Sequence, residues 1–343
     1  MQELFGQKTK KQIKAIGLIS GGLDSILAAK VIKDLGIKVI GVHFNMPWGC
    51  GNKIKASASA KQIGIPLKTF QLDEEFLELV RNPQYGVGSV MNPCVDCKVY
   101  FLKKAAQYMK EVGADFIFTG EVLGQRPMSQ LHNSLNLIEN ESGLKGYLLR
   151  PLCAQLLKPT IPEERGWIDR TKLLSINGRG RRSQLDLAKH YHITEYTPAG
   201  GGCLLTEPHF APRLKDAFKY GYRDIKEITS LKWGRQFRIN KDFKAFLGRD
   251  EEENKLLKKY AHETDYILQL HRKNGPTLIL KGPKPSLKIL SLCGGLIQGF
   301  SKLKSLEPQK IEYCQANLKK DKKYLTPSIL SEQQIQALAI SPV

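Results

Sequence analysis

The chain has 343 residues, 53 of them Lys or Arg against 33 Asp or Glu, a formal net charge of +20. Its length allows two or more domains with a sizeable core, and no run reaches the roughly 18 apolar residues of a membrane span. The basic start MQELFGQKTKKQIK has no apolar signal segment behind it, so a cytoplasmic protein with no membrane partner is expected.

Seven cysteines, an odd number without an export signal, argue against a disulfide framework and for metal or redox chemistry. The charge is uneven: residues 1–150 carry 19 basic and 13 acidic groups, residues 151–343 carry 34 and 20. A basic second half suits a polyanion, because each neutralised phosphate releases counterions.

In chain order, residues 1–13 read as a leader, and Ala15–Ile19 as a buried strand. Ser20-Gly21-Gly22-Leu23-Asp24-Ser25 follows as a tight turn, and Ile26 opens a helix with apolar residues at helical spacing. Two glycines let the backbone approach a ligand. The free N–H groups of the next helix favour an anion, the serine hydroxyls add donors, and Asp24 offers a carboxylate for Mg²⁺. A phosphate site is the expectation, with a plain βα corner as the alternative. Lys38–Phe44 reads as the second strand. His43 is expected to be a structural histidine, and Phe44 and Asn45 are candidates to line an adenine pocket.

A Pro/Gly-rich loop containing Cys50 leads to a helix from Lys53 to Ile63, then to a strand over Pro66–Phe70. Asn92-Pro93-Cys94-Val95-Asp96-Cys97-Lys98 sets two thiols at CxxC spacing just before a helix read over Val99–Val112, where a thiolate is stabilised. Asp115–Gly120 and Tyr147–Leu152 read as further strands. Thr119, Gly120, Glu121 and Gln125, in TGEVLGQ, are placed at the same sheet edge as the Gly-rich turn. Arg150 offers either a cation there or a structural ion pair.

Strands alternating with helices imply a doubly wound parallel α/β sheet with ligands at the carboxyl ends of its strands. Residues 158–182 are Pro-, Gly- and Arg-rich, ending in Gly178-Arg179-Gly180-Arg181-Arg182 before a helix over Ser183–Tyr191. Those arginines suit a nucleic-acid backbone or a phosphate. Cys203 follows Gly200-Gly201-Gly202, a loop able to wrap a bulky group, and Cys50 in Gly49-Cys50-Gly51 competes with it for a place, whereas Cys153, Cys293 and Cys314 read as core or incidental thiols. The expected divisions are a catalytic domain over 14–205, linker helices over 206–231, a small α+β domain over 232–306 and a basic tail over 307–343.

With these residues laid out, the chain resembles the PP-loop ATP pyrophosphatases that thiolate tRNA, from about Lys14 to Leu205. SGGLDS looks like their ATP signature. TGEVLGQ with Ser129-Gln130, and Leu149-Arg150-Pro151-Leu152, are similar to stretches of tRNA 4-thiouridine synthetases. Asn92-Pro93-Cys94 with Cys97 is similar to a region of the tRNA 2-thiouridylases, and residues from about Lys232 resemble the NFACT-R module of RNA-binding proteins.

The resemblance implies the adenine nucleotide alpha hydrolase-like fold and ATP held by Ser20, Gly21, Gly22, Leu23, Asp24 and Ser25. Phe44, Thr119, Gly120, Glu121, Gln125 and Arg150 would assist, with Mg²⁺ as cofactor, tRNA as partner, and sulfide or a persulfide carrier as sulfur donor. Neither a THUMP-type domain ahead of the turn nor a rhodanese-type domain after it is recognised. The CxxC with a distant glycine-loop cysteine resembles the iron–sulfur subset of thiolases, which implies Cys94, Cys97 and Cys203 around a [4Fe–4S] cluster with one open iron. Asp24 and these three cysteines are the expected catalytic residues. Cysteine persulfide chemistry remains the rival, with a small-molecule pyrophosphatase or a non-catalytic RNA-binding protein as alternative functions.

Overall fold

In the computed structural model, the described residues are 12–341 apart from 47, 50–52, 198–201, 305–306 and 319. Cys50, most of the leader and the glycines at 200 and 201 therefore lie outside them. The chain divides into two units, Met1–Cys203 and Leu204–Val343.

The first unit runs β1 (Lys14–Leu18), α1 (Leu23–Asp34), β2 (Lys38–Asn45), α2 (Lys53–Gln62), β3 (Leu67–Gln71), α3 (Glu74–Arg81), α4 (Cys94–Glu111), β4 (Phe116–Phe118), α5 (His132–Glu141), β5 (Leu148–Leu149), α6 (Ile161–Glu164) and α7 (Arg182–His190). The five strands form a parallel sheet in the order β3-β2-β1-β4-β5. The doubly wound expectation holds. Strand order reverses at β1, so the loops after β1 and β4 flank the crevice where such sheets bind ligands.

Ala15, Val39 and Phe116 of the sheet pack with Ile26 and Leu27 of α1, Ala60 of α2 and Ala188 of α7 in one core. On α4, Phe101 stacks on Phe44 at 4.7 Å and on Phe76 at 5.5 Å between ring centroids. Helix α4 starts at Cys94 behind an N-cap proline, Pro93, five residues earlier than the apolar periodicity suggests. Both thiols of the CxxC thus lie in its first turn and a half rather than ahead of it.

The second unit contains α8 (Ala211–Lys219), α9 (Ile225–Ser230), β6 (Arg235–Arg238), β7 (Lys244–Leu247), α10 (Glu251–Tyr260), β8 (Tyr266–Leu270), β9 (Leu278–Lys281), α11 (Leu287–Gly299), β10 (Ile311–Gln315), β11 (Lys323–Leu325) and α12 (Glu332–Leu338). Its sheet is antiparallel, in the order β11-β10-β8-β9-β7-β6. Ala245, Leu247, Leu268, Leu280 and Ile311 meet Leu290, Cys293 and Leu296 of α11 in a second core.

Two boundaries differ from the sequence reading. Residues 206–231 are part of this unit, because Asp216 of α8 pairs with Arg238 of β6 at 2.6 Å and Lys244 of β7 at 3.0 Å. The segment 307–343, basic and weakly patterned, supplies β10, β11 and α12.

Candidate nucleotide and cysteine site

The turn after β1 is built for close approach. Gly21 has φ +82°, and a Cβ there would stand 2.8 Å from the backbone nitrogen of Ala56 at the start of α2. Gly120, at the end of β4, lies so close that a Cβ would meet the backbone of Asp24 and Ser25 at 2.5 Å. A side chain at either position displaces the turn. Ser25 donates to the Gly22 carbonyl at 2.8 Å and Ser20 donates to Ser25 at 3.3 Å, while Gly22 caps α1 with no side-chain hydrogen bond. The first-turn N–H groups of α1 are left without a side-chain cap, the arrangement that suits an anion.

Asp24 ties this turn to the second loop: Gln125 donates to its Oδ2 at 2.9 Å, and Gln184 of α7 donates to Gln125 at 3.4 Å. Its other oxygen, Oδ1, is a buried atom with no partner. From the far side Thr197 donates its N–H to the Gly21 carbonyl at 2.7 Å, and its buried hydroxyl has no partner either. Thr197 is thereby tied to the glycine-rich turn.

Glu121 and Arg150 play a different part from the one expected. Arg150 is 3% exposed and donates to Glu121 at 3.1 Å, to Glu139 of α5 at 3.0 Å and to the Leu135 carbonyl at 3.1 Å. Lys98, the residue after Cys97, completes the network by pairing with Glu121, which also accepts from Thr119 at 3.0 Å. Burial alone would push the Glu121 carboxyl up, but Lys98 and then Arg150 pull it down to about 2. These groups position the loop, and the reading of Arg150 as a nucleotide cation gives way to the structural ion pair. Phe44 is likewise corrected: its ring lies between Phe70 and Phe101, so it packs in the aromatic core. His43, 2% exposed, shares a hydrogen bond of 2.9 Å with the Ile19 carbonyl, and burial holds its pKa below the ordinary value.

Cys94 and Cys203 lie near enough to Cys97 to act on its thiol electrostatically. Burial pushes the Cys97 thiol well above its ordinary value, and the neighbouring sulfurs of Cys203 and then Cys94 push it further. Asn92 donates to the Cys94 sulfur at 3.2 Å. Asp96 accepts from the backbone of Gln84 and Tyr85, which anchors the preceding loop to α4. Among the described residues no three His, Cys, Asp or Glu side chains are close enough to hold a single ion. Cys153 and Cys293 are fully buried elsewhere. Gln184, Thr197 and Glu139 escaped the sequence reading, whereas Asn92 and Lys98 stood at the two ends of the quoted CxxC stretch without a role assigned to them.

A five-stranded parallel sheet with a glycine-rich turn at its switch point is the arrangement in which α/β units bind nucleotides. Residues 10–161 match the family model described as thiamine biosynthesis protein (ThiI), and residues 234–338 match the NFACT protein RNA binding domain. The first unit is thus similar to the ThiI family over most of its length, and the second to the NFACT RNA binding domain.

Among curated proteins, a tRNA-specific 2-thiouridylase MnmA of Micrococcus luteus is 31% identical over 169 residues, 43% of this chain and 44% of that protein. The MnmA of Geobacter metallireducens is 34% identical over 139 residues, 33% of this chain and 36% of the relative. The chain thus spans less than half the length of these relatives. A solved 4-thiouridine synthetase–RNA complex with bound ATP aligns at TM-score 0.39 and 19% identity, over 56% of this chain and 44% of the other, a likeness too loose to argue from. No helix among the described residues is long and apolar enough to cross a membrane.

Proposed function

We propose that the chain is an ATP-dependent tRNA uridine sulfurtransferase of the cytoplasm. The observation that carries this reading is that one loop, residues 119–125, is held at one end by Lys98 beside the cysteine turn and at the other by Asp24 in the nucleotide turn. Such a loop couples an activation site to a sulfur site.

The residues suit both groups. The unpartnered Asp24 Oδ1 and the uncapped start of α1 match Mg²⁺ and the phosphates of ATP, a co-substrate. Three thiols, of which Cys94 and Cys203 both act on Cys97, have the chemistry of a soft metal centre. A four-iron cluster spreads its ligands over several irons, so its cysteines need not close around a single ion. Cys94, Cys97 and Cys203 would hold that [4Fe–4S] cluster, which when bound offers an open iron to exogenous sulfide.

In the reaction the uridine carbonyl oxygen attacks the α-phosphorus of ATP, and the bond to pyrophosphate breaks. Sulfide then adds at the activated carbon, and AMP departs with the original oxygen. The N–H groups of α1 stabilise the charge that develops on the phosphates, and Asp24 would hold the Mg²⁺ that shares this task. Asn92 orients Cys94, and Lys98 sets positive charge beside Cys97.

The test is anaerobic incubation of the chain with ATP, Mg²⁺, sulfide and bulk tRNA, reading pyrophosphate and then nucleosides by mass spectrometry. We expect tRNA-stimulated pyrophosphate release with a thiouridine in the product. Release that ignores tRNA would favour a small-molecule substrate, and none at all a non-catalytic RNA-binding protein. For the cysteines, a brown preparation with about four irons per chain, lost in each Cys→Ala variant, is expected. A colourless preparation that still thiolates would leave the persulfide route.

A further inference from the structure

The second unit has one sheet face against α11 and another that, at its outer strands, is polar with a single aromatic ring. Register aligns Gln269 of β8, Glu312 of β10 and Tyr324 of β11 in one row. Their sequence neighbours Leu268, Leu270, Ile311 and Leu325 pack in the core beneath α11, so the row faces the opposite side. Tyr324 keeps 46% of its surface exposed.

Around the ring, Lys310 sets its ammonium 4.5 Å from the centroid and His271 meets it edge-on at 5.0 Å. Glu312 is already engaged by Lys322 at 2.8 Å, Gln269 at 2.6 Å and His271 at 3.1 Å. The acid in the row is thus matched by a cation, and Lys310 and Lys273 add positive charge at the same strand ends. Lysines on an edge strand are enough to discourage strand-to-strand aggregation. An exposed aromatic in their midst does not serve that purpose.

We propose that this face binds single-stranded RNA, with an unpaired base stacked on Tyr324 and the flanking phosphates met by Lys310 and Lys273. The inference rests on the reading of this chain as an enzyme that handles tRNA and names the surface by which its second unit does so. Aromatic rings on an open sheet are effective stacking platforms, because every base has a π face, and lysines alongside track the backbone.

The test uses the full chain, a fluorescein-labelled twelve-residue oligouridine and a duplex RNA of the same length, with affinity read by anisotropy. Tyr324→Ala should weaken single-strand binding about five- to hundredfold while changing duplex binding little, and Tyr324→Phe should restore it to within about twofold. Lys310→Gln should lower the salt slope for the single strand by about 0.7. Wild-type affinity in Tyr324→Ala overturns the proposal, as does an equal loss on both RNAs, which would mean phosphate contact alone. A change in sedimentation without a change in RNA affinity would assign the face to a protein contact and also overturn it. Pyrophosphate release with bulk tRNA, read on the same preparations, reports separately on the catalytic reading.

Discussion

Asp24 is half-buried, with one carboxylate oxygen held by Gln125 and the other without a partner. Its removal takes charge from the site while the turn keeps its serine and backbone hydrogen bonds. Asp24→Ala should therefore fold with an unchanged melting temperature and lose pyrophosphate release by about 100-fold or more. Asp24→Asn, which keeps a hydrogen bond to Gln125, should lose nearly as much. Full activity in either variant would remove Asp24 from the site.

Gly120 is the opposite case, a residue needed for what it lacks. Gly120→Ala drives a methyl into the Asp24 and Ser25 backbone, so it should lower stability by about 1–3 kcal/mol and raise the KM for ATP. Differential scanning calorimetry and steady-state kinetics check the two effects together.

At the scale of elements, Glu121 joins α4 through Lys98, β5 through Arg150 and, by way of Arg150, α5 through Glu139. Its carboxyl titrates near 2 in the folded chain, below the ordinary 4.5. The stabilisation is therefore complete above the ordinary value and is lost as pH falls through about 2. Its size is about 3 kcal/mol. Glu121→Gln leaves Arg150 paired with Glu139 but removes the buried charge between Lys98 and Arg150, so it should cost about 1–3 kcal/mol at neutral pH. Its acid-unfolding curve should also be flatter than that of the wild type below pH 4.5. Curves that run parallel would show that the carboxylate is not the titrating group.

Helix α7 makes a second link, because Gln184 reaches Gln125 from a turn that also carries Arg179, Arg181 and Arg182. Replacing the three arginines with Gln should weaken tRNA binding and lower the salt slope by up to about 3. Binding like the wild type's would assign them to solvent.

Across the whole molecule, the second unit buries a lysine that its first unit has no counterpart for among the described fully buried side chains. Lys244 is 1% exposed beside Asp216 and the rings of Tyr222 and Phe246. Burial lowers its pKa to about 8 from 10.5, with Asp216 opposing the shift. Between those values the unfolded chain binds the proton and the folded unit does not, so stability should rise with pH across that window, by about 3 kcal/mol. Lys244→Met leaves Asp216 paired with Arg238, and it should stabilise the unit below pH 8 and flatten the rise. Urea melts from pH 7 to 10.5 read the difference.

Much of the first unit was legible in the sequence. SGGLDS between an apolar run and a helical pattern, and TGEVLGQ after another apolar run, already placed both loops on one sheet edge, since local spacing alone reports strand, turn and helix. The same holds for the CxxC at a helix start. What only the tertiary structure decided is how long-range pairing uses those residues. Arg150 and Glu121 point into each other because α5 and α4 bring Glu139 and Lys98 to them, and Phe44 packs against Phe101 of α4. The basic segment after residue 307 becomes two strands because β8 offers it an edge. Cys203 approaches Cys94 and Cys97 across more than a hundred residues, and no local pattern encodes a contact between side chains so far apart in the chain.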